Sequence, residues 1–126
     1  MDCTEHRSTH TADGKCWYVD QLWILARDLP VTSRAVQSFR ELQECCWEQS
    51  MGLADFAAHV RRVEQADPAY PIIISAEGWL MDGAHRLVKA MLRGETHVPV
   101  QQFQVTPPPD FEDPEPEELI EGFPPP

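Results

Sequence analysis

The stretch from Pro71 to Gly94 leaves the chain the least conformational choice. Pro71-Ile72-Ile73-Ile74 is an unbroken β-branched run, the composition of a strand covered on both faces. Ala76-Glu77-Gly78 supplies the turn of a hairpin and Trp79-Leu80-Met81 its return strand. The chain then passes through Asp82-Gly83 at once into helical spacing. Leu87, Ala90 and Met91 share one face from about Ala84 to Arg93, and Gly94 stands in the usual stop position. The pattern therefore predicts a strand-to-helix turn at Asp82-Gly83-Ala84-His85-Arg86.

Other segments are less constrained. Trp17-Tyr18-Val19 reads as a short strand and Asp20 as an N-cap, followed by a helix burying Leu22, Leu25, Ala26 and Leu29 until Pro30 stops it. Between Val31 and Trp47 the pattern allows either a helix or a short strand with a brief helical turn. Leu53, Phe56, Ala57, Val60 and Val63 mark a helix over about 53–65 that ends at Asp67-Pro68. Val98, Val100, Phe103 and Val105 predict a final strand whose change of phase suggests a bulge. These elements define an α+β protein, a small mixed β-sheet flanked by helices.

A chain of 126 residues is expected to form one domain, placed at 16–105 between a mobile leader, 1–15, and a tail, 106–126. The tail holds eight of the twelve prolines, together with seven acids and no Lys or Arg, a composition read as disordered. Leu119-Ile120 and Phe123 within it are candidate contacts for a protein partner, and a non-catalytic adaptor using this tail is the alternative functional reading. The net charge of −11 belongs largely to the tail; the remaining residues carry 10 basic and 14 acidic groups, net −4. The Lys and Arg residues are scattered, which disfavours DNA as a partner. No run reaches membrane-span length, and the N-terminus lacks the pattern of a signal peptide, so the expected compartment is the cytoplasm, away from membranes.

Four cysteines, at 3, 16, 45 and 46, read as reduced thiols. Cys3, His6, His10 and Cys16 could in principle surround zinc, but their spacing matches no familiar finger and no metal site is assigned. Cys45-Cys46-Trp47 reads as packing.

The strand-to-helix turn carries the chemistry. Gly83 allows a tight turn and close ligand approach, while the N–H groups of Ala84, His85 and Arg86 at the helix start can face a phosphate oxygen. Arg86 offers a charge-assisted contact. His85, near a positive helix end, is expected to favour its neutral form and to donate a hydrogen bond or act as a base. Asp82 is either an N-cap or a group that orients a hydroxyl or a metal ion. His59 borders the apolar stripe of its helix, ordinarily a packing position, yet an imidazole near an anion site can serve as acid, base or donor. Candidate catalytic residues are thus His85, Asp82 and His59; candidate phosphate contacts are Gly83, Ala84, His85 and Arg86.

The run Pro71-Ile72-Ile73-Ile74, with Gly78, Met81-Asp82-Gly83-Ala84-His85-Arg86-Leu87, Lys89-Ala90 and Gly94, resembles the ParB/sulfiredoxin superfamily. That superfamily's signature is a strand leading into a Gly-X-His-Arg or Gly-X-Arg-Arg turn and a helix. Residues from about 53 to 103 fit it well, most like the small stand-alone ParB-like proteins with the ParB N-terminal-like nuclease domain. The resemblance implies nucleotide phosphates held at the turn: ATP in sulfiredoxins, CTP in partition ParB proteins, ADP or ATP in free-serine kinases. It assigns phosphate contact to Gly83, His85 and Arg86 and a neighbouring role to Asp82. The implied ligand is a nucleoside triphosphate with Mg²⁺, hydrolysed or used for phosphoryl transfer. Ala84 stands where sulfiredoxins carry the reactive cysteine, which argues against sulfinic-acid reduction, and the acidic tail stands where partition proteins continue into a helix-turn-helix, so a centromere-binding clamp is not expected. A carboxylate base for the kinase branch could be Glu41, Glu44, Asp67 or Glu77.

Overall fold

The structure, a computed structural model, describes residues 8–10, 15–43 and 51–112. In chain order its elements are β1 (Ser8–His10), β2 (Lys15–Tyr18), α1 (Val19–Ala26), β3 (Val31–Ala35), α2 (Leu53–Gln65), β4 (Ile72–Ile74), β5 (Leu80–Asp82), α3 (Ala84–Leu92), β6 (His97–Gln102) and β7 (Phe111–Glu112); 3₁₀ turns at Val36–Ser38 and Arg40–Leu42 follow β3. The protein is thus a small α+β fold with a four-stranded mixed sheet and, among the described residues, three α-helices. The chain divides into two compact units, one from residues 1–27 with 107–126 and the other from residues 28–106.

In the first unit, β2 is the middle strand, with β1 and β7 both antiparallel to it. Ser8–His10 lies in the stretch read as a leader and Phe111–Glu112 in the stretch read as a tail. Their backbone groups pair with the two edges that β2 would otherwise leave open. The Trp17 indole N–H donates to the Pro107 carbonyl at 3.0 Å, and the Tyr18 amide donates to the Asp110 carboxylate at 2.7 Å. Residues 1–7 and 113–126, with Leu119, Ile120 and Phe123, lie outside the described residues.

α1 begins two residues earlier than an N-cap at Asp20 would place it. Tyr18 occupies the cap position, and Asp20 sits in the first turn, where a carboxylate meets the positive end of the helix. Val19, Leu22 and Ala26 are buried, but Leu25 is 52% exposed and Leu29 falls beyond the helix, so the anticipated stripe is narrower than its spacing implied. Cys16 is fully buried and disulfide-bonded, which corrects the reading of reduced thiols for this position. A sulfur committed to a disulfide is no thiolate for zinc. Cys3, Cys45, Cys46 and Trp47 lie outside the described residues.

The second unit is organised by a sheet of order β3-β6-β4-β5. β6 runs parallel to β4 and antiparallel to β3, while β5 returns antiparallel to β4. The ambiguous segment after Val31 resolves into a strand and 3₁₀ turns. β4 is buried throughout, as its Ile72-Ile73-Ile74 composition requires, because β5 and β6 flank it and α3 covers the sheet. Ile72, Ile74, Leu87, Ala90, Val98 and Val100 form the core with Val36 and Phe39 from the 3₁₀ region. The register shift lies in the β4–β5 pair, between Ile73 and Ile74, rather than in the final strand. β6 ends at Gln102; Phe103 is buried, its amide bonded to the Ile74 carbonyl at 3.1 Å, and Val105 is exposed.

α2 has the expected bounds but not the expected burial. Val63 is buried, whereas Leu53 is 89%, Phe56 61% and Val60 41% exposed. The helix meets the unit through Val63 and the half-buried His59, at the border of the apolar stripe rather than its middle. Lys89 of α3 fastens its end, donating to the carbonyls of Glu64 at 2.9 Å and Ala66 at 2.8 Å, groups that a helix C-terminus leaves without intrahelical donors. Leu87→Ala should therefore cost about 2–4 kcal/mol and Phe56→Ala less than about 1 kcal/mol in urea-unfolding measurements, although sequence pattern ranks both as core.

Candidate functional site

Arg34 holds the hairpin turn ahead of the site. Its guanidinium donates to the Gly78 carbonyl at 2.9 Å and to the Ser38 hydroxyl and carbonyl at 2.9 and 3.1 Å, and it lies over the Phe39 ring at 4.2 Å. Inside the turn, the buried Ser75 accepts the Trp79 amide on its hydroxyl at 3.1 Å. β5 is thereby delivered to Asp82 in a defined register.

Gly83 then makes the turn into α3 at φ +116°, a conformation that costs other residues dearly. A Cβ there would lie 2.9 Å from Ile72 Cγ1 and 3.3 Å from Ile72 Cα, so the helix start sits directly on β4 with no room for a side chain. α3 runs nine residues from Ala84, without a side-chain cap bond and without an acidic residue in its first turn. Such a start directs the amides of Ala84, His85 and Arg86 outward from the helix end, where they bear the positive pole of its dipole.

Arg86 points back along the turn. It donates to the Asp82 carboxylate at 2.6 Å and to the Pro71 carbonyl at 2.5 Å, the two acidic and basic side chains being only 17% and 13% exposed. Asp82 is therefore the ion-pair partner of Arg86, and Gly83 holds the N-cap position. The guanidinium carries five N–H donors and these contacts use two of them.

His59 and His85 meet between α2 and α3. His59 Nδ1 and His85 Nε2 are 2.9 Å apart, with ring centroids at 5.1 Å and planes inclined by 25°. The centroid separation exceeds the nitrogen separation by about two ring radii, so the rings meet edge to edge, nitrogen to nitrogen. Such a bond needs one ring to donate and the other to accept, and it holds one proton between them. His85 is half-buried and its pKa is depressed from 6.5 to about 4, chiefly by desolvation, then by the His59 imidazole and by Arg62, with Asp82 opposing. Burial and Arg62 also lower His59, against Asp55. The neutral His85 expected from the helix end is neutral mainly because it is buried.

Of the carboxylates considered as a base, Glu41 is held against β5, its Oε2 accepting the Leu80 amide at 2.8 Å. Asp67 instead caps its own turn at the Ala69 amide, 2.9 Å away, and Glu77 accepts the Thr106 hydroxyl at 2.8 Å. Glu44 lies outside the described residues. The structure thus brings His59 to His85 and Asp82 to Arg86, but neither Asp67 nor Glu77 is directed at that cluster by its bonds. The Arg34 clamp had no signal in spacing, because its partners are two backbone carbonyls and a hydroxyl. The His59 contact was foreshadowed only by a polar residue bordering an apolar stripe.

Among the described residues no group of three or more His, Cys, Asp or Glu is placed to hold a metal ion, and no helix is long and apolar enough to cross a membrane. Comparison with family models, curated proteins and solved structures gives no match to the chain.

Gly83→Ala should destabilise the protein by about 2–4 kcal/mol, combining the strain of positive φ with the collision against Ile72, measured by urea denaturation. The His85 depression sets a pH dependence as well. An unfolded chain takes up the proton near pH 6.5 and the folded chain near 4, so between these values the unfolded state holds more protons and stability falls as pH is lowered. The thermal midpoint should drop from pH 7 to 4, and His85→Gln should flatten that part of the profile.

Proposed function

We propose that the α3 start, Gly83-Ala84-His85-Arg86, binds the phosphates of a nucleoside di- or triphosphate. The observation that carries the reading is the seating of Gly83 on Ile72, which presents the first amides of α3 beside an imidazole and a guanidinium with no Cβ in the way. Phosphate oxygens are well matched by such amides and by the remaining donors of Arg86. Asp82 offsets the charge of Arg86, so a ligand meets a largely compensated ion pair and must draw its attraction from directed hydrogen bonds. The resemblance of residues 53–103 to ParB/sulfiredoxin proteins supports the same assignment, the Gly-X-His-Arg order falling on Gly83, Ala84, His85 and Arg86.

Mg²⁺ would arrive with the nucleotide, coordinated mainly by its phosphates and by water. Binding is the core of the proposal; hydrolysis or phosphoryl transfer would extend it, with His85 as the imidazole at the phosphates and Asp82 and His59 as its supporting candidates.

Titration calorimetry with ATP, ADP, CTP and GTP, each with Mg²⁺, tests the reading, with phosphate release followed in the same samples. At least one nucleotide should bind, and His85→Ala should weaken it roughly tenfold, the loss of about one hydrogen bond to a charged group. Arg86→Lys, which keeps the charge facing Asp82 but not the fork, should weaken binding further. Failure of all four nucleotides to bind, or affinity indifferent to both substitutions in folded protein, would overturn it.

A further inference from the structure

We propose that His59 is a positioning residue for this phosphate site, and that anion binding there is coupled through the His59–His85 pair to the uptake of one proton from solvent. The inference rests on the phosphate-site reading above, but its content comes from the edge-to-edge contact of the two rings.

Two neutral imidazoles joined nitrogen to nitrogen have one donor and one acceptor across the contact, separated here by 2.9 Å. A further proton can enter on the outer nitrogen of the donating ring. That ring becomes an imidazolium and still donates to its neutral partner, so the contact survives and strengthens. A second added proton would place two N–H groups face to face and force the rings apart. The pair therefore has room for one added proton and resists two.

The surroundings decide whether that proton is present. Arg62 on α2 opposes it at both rings, as does burial; Asp55 on α2 favours it at His59, and Asp82 on β5 favours it at His85. Asp82 is already committed to Arg86 at 2.6 Å, which spends most of its influence. Without a ligand the balance leaves the pair uncharged near pH 7, in keeping with the depressed pKa of His85. A phosphate dianion at the α3 start adds negative charge beside His85, and an opposite charge within a few ångströms raises an imidazole pKa by about one to three units. The pair then takes up its one proton and faces the anion as a cation. His59 acts through His85: it stabilises the imidazolium by accepting its N–H hydrogen bond and fixes which nitrogen points across the α2–α3 seam. No covalent bond is made or broken.

The test is calorimetric binding of ATP and of CTP, each with Mg²⁺, to the full chain at pH 6.5 in buffers of different ionisation heat, which counts protons exchanged per nucleotide bound. The wild type should take up a fraction of a proton, up to roughly 0.8, and its affinity should rise by up to about tenfold in all as pH is lowered from 8 to 6. His59→Gln, able to hydrogen-bond but not to share the proton, should bind more weakly with less than half that uptake. If a nucleotide binds without proton uptake, or with uptake unchanged in His59→Gln, the coupling is wrong while the phosphate site stands. If neither nucleotide binds the wild type, both readings fall. Should His59→Gln not fold, long-range ¹H–¹⁵N spectra of the wild type decide: ATP or CTP should move the His85 nitrogens to imidazolium positions while His59 stays a neutral acceptor, and unmoved His85 nitrogens in the nucleotide-bound state would overturn the proposal.

Discussion

The close packing of Gly83 on Ile72 is the constraint on which the second unit depends. A helix start pressed against a buried strand needs a residue without Cβ and with positive φ, and both demands fall on one position. Because Gly83 turns there, α3 lies across the sheet and buries Leu87 and Ala90 in the core. The same turn puts Asp82 and Arg86 four residues apart across the strand-to-helix corner, so that an ion pair and a contact with the Pro71 carbonyl close it. Packing and site are two consequences of one backbone geometry.

The cluster is electrostatically restrained. Asp82 and Arg86 satisfy one another in a partly buried setting, where removing one partner would leave the other paying desolvation without compensation. His85 is kept neutral by burial and by its neighbours, and it is bonded to a second imidazole from a different helix. Under the proposed phosphate binding, an anion arriving here would meet amides and uncharged rings before charged groups. Recognition would rest on geometry more than on long-range attraction, in keeping with the acidic balance of the chain.

Much of the second unit was legible because its signals are local. A β-branched triplet, a glycine turn and a helical stripe ending at Gly94 each carry their own physical cause, and β4, β5 and α3 fall within a residue or so of where those causes put them. Spacing misled where burial was inferred from periodicity alone. The stripe Leu53-Phe56-Val60 has ideal helical repeats, but repeats state only which residues share a face, not that another element covers it. Leu25 fails for the same reason. The disulfide at Cys16 was illegible because pairing depends on which sulfurs the fold brings together.

The amino-acid sequence by itself determined the α+β character, the strand-to-helix turn and the chemical identity of its members, since these follow from backbone preference and side-chain type over a few residues. Only the tertiary structure decided what those members do to one another. It turned Arg86 inward onto Asp82 and Pro71, took Asp67 away to its own turn, set Glu41 against β5, and brought His59 across twenty-six positions of chain to a single hydrogen bond with His85. Contacts between separate elements depend on how helices and strands pack, and packing is a property of the whole unit rather than of any segment.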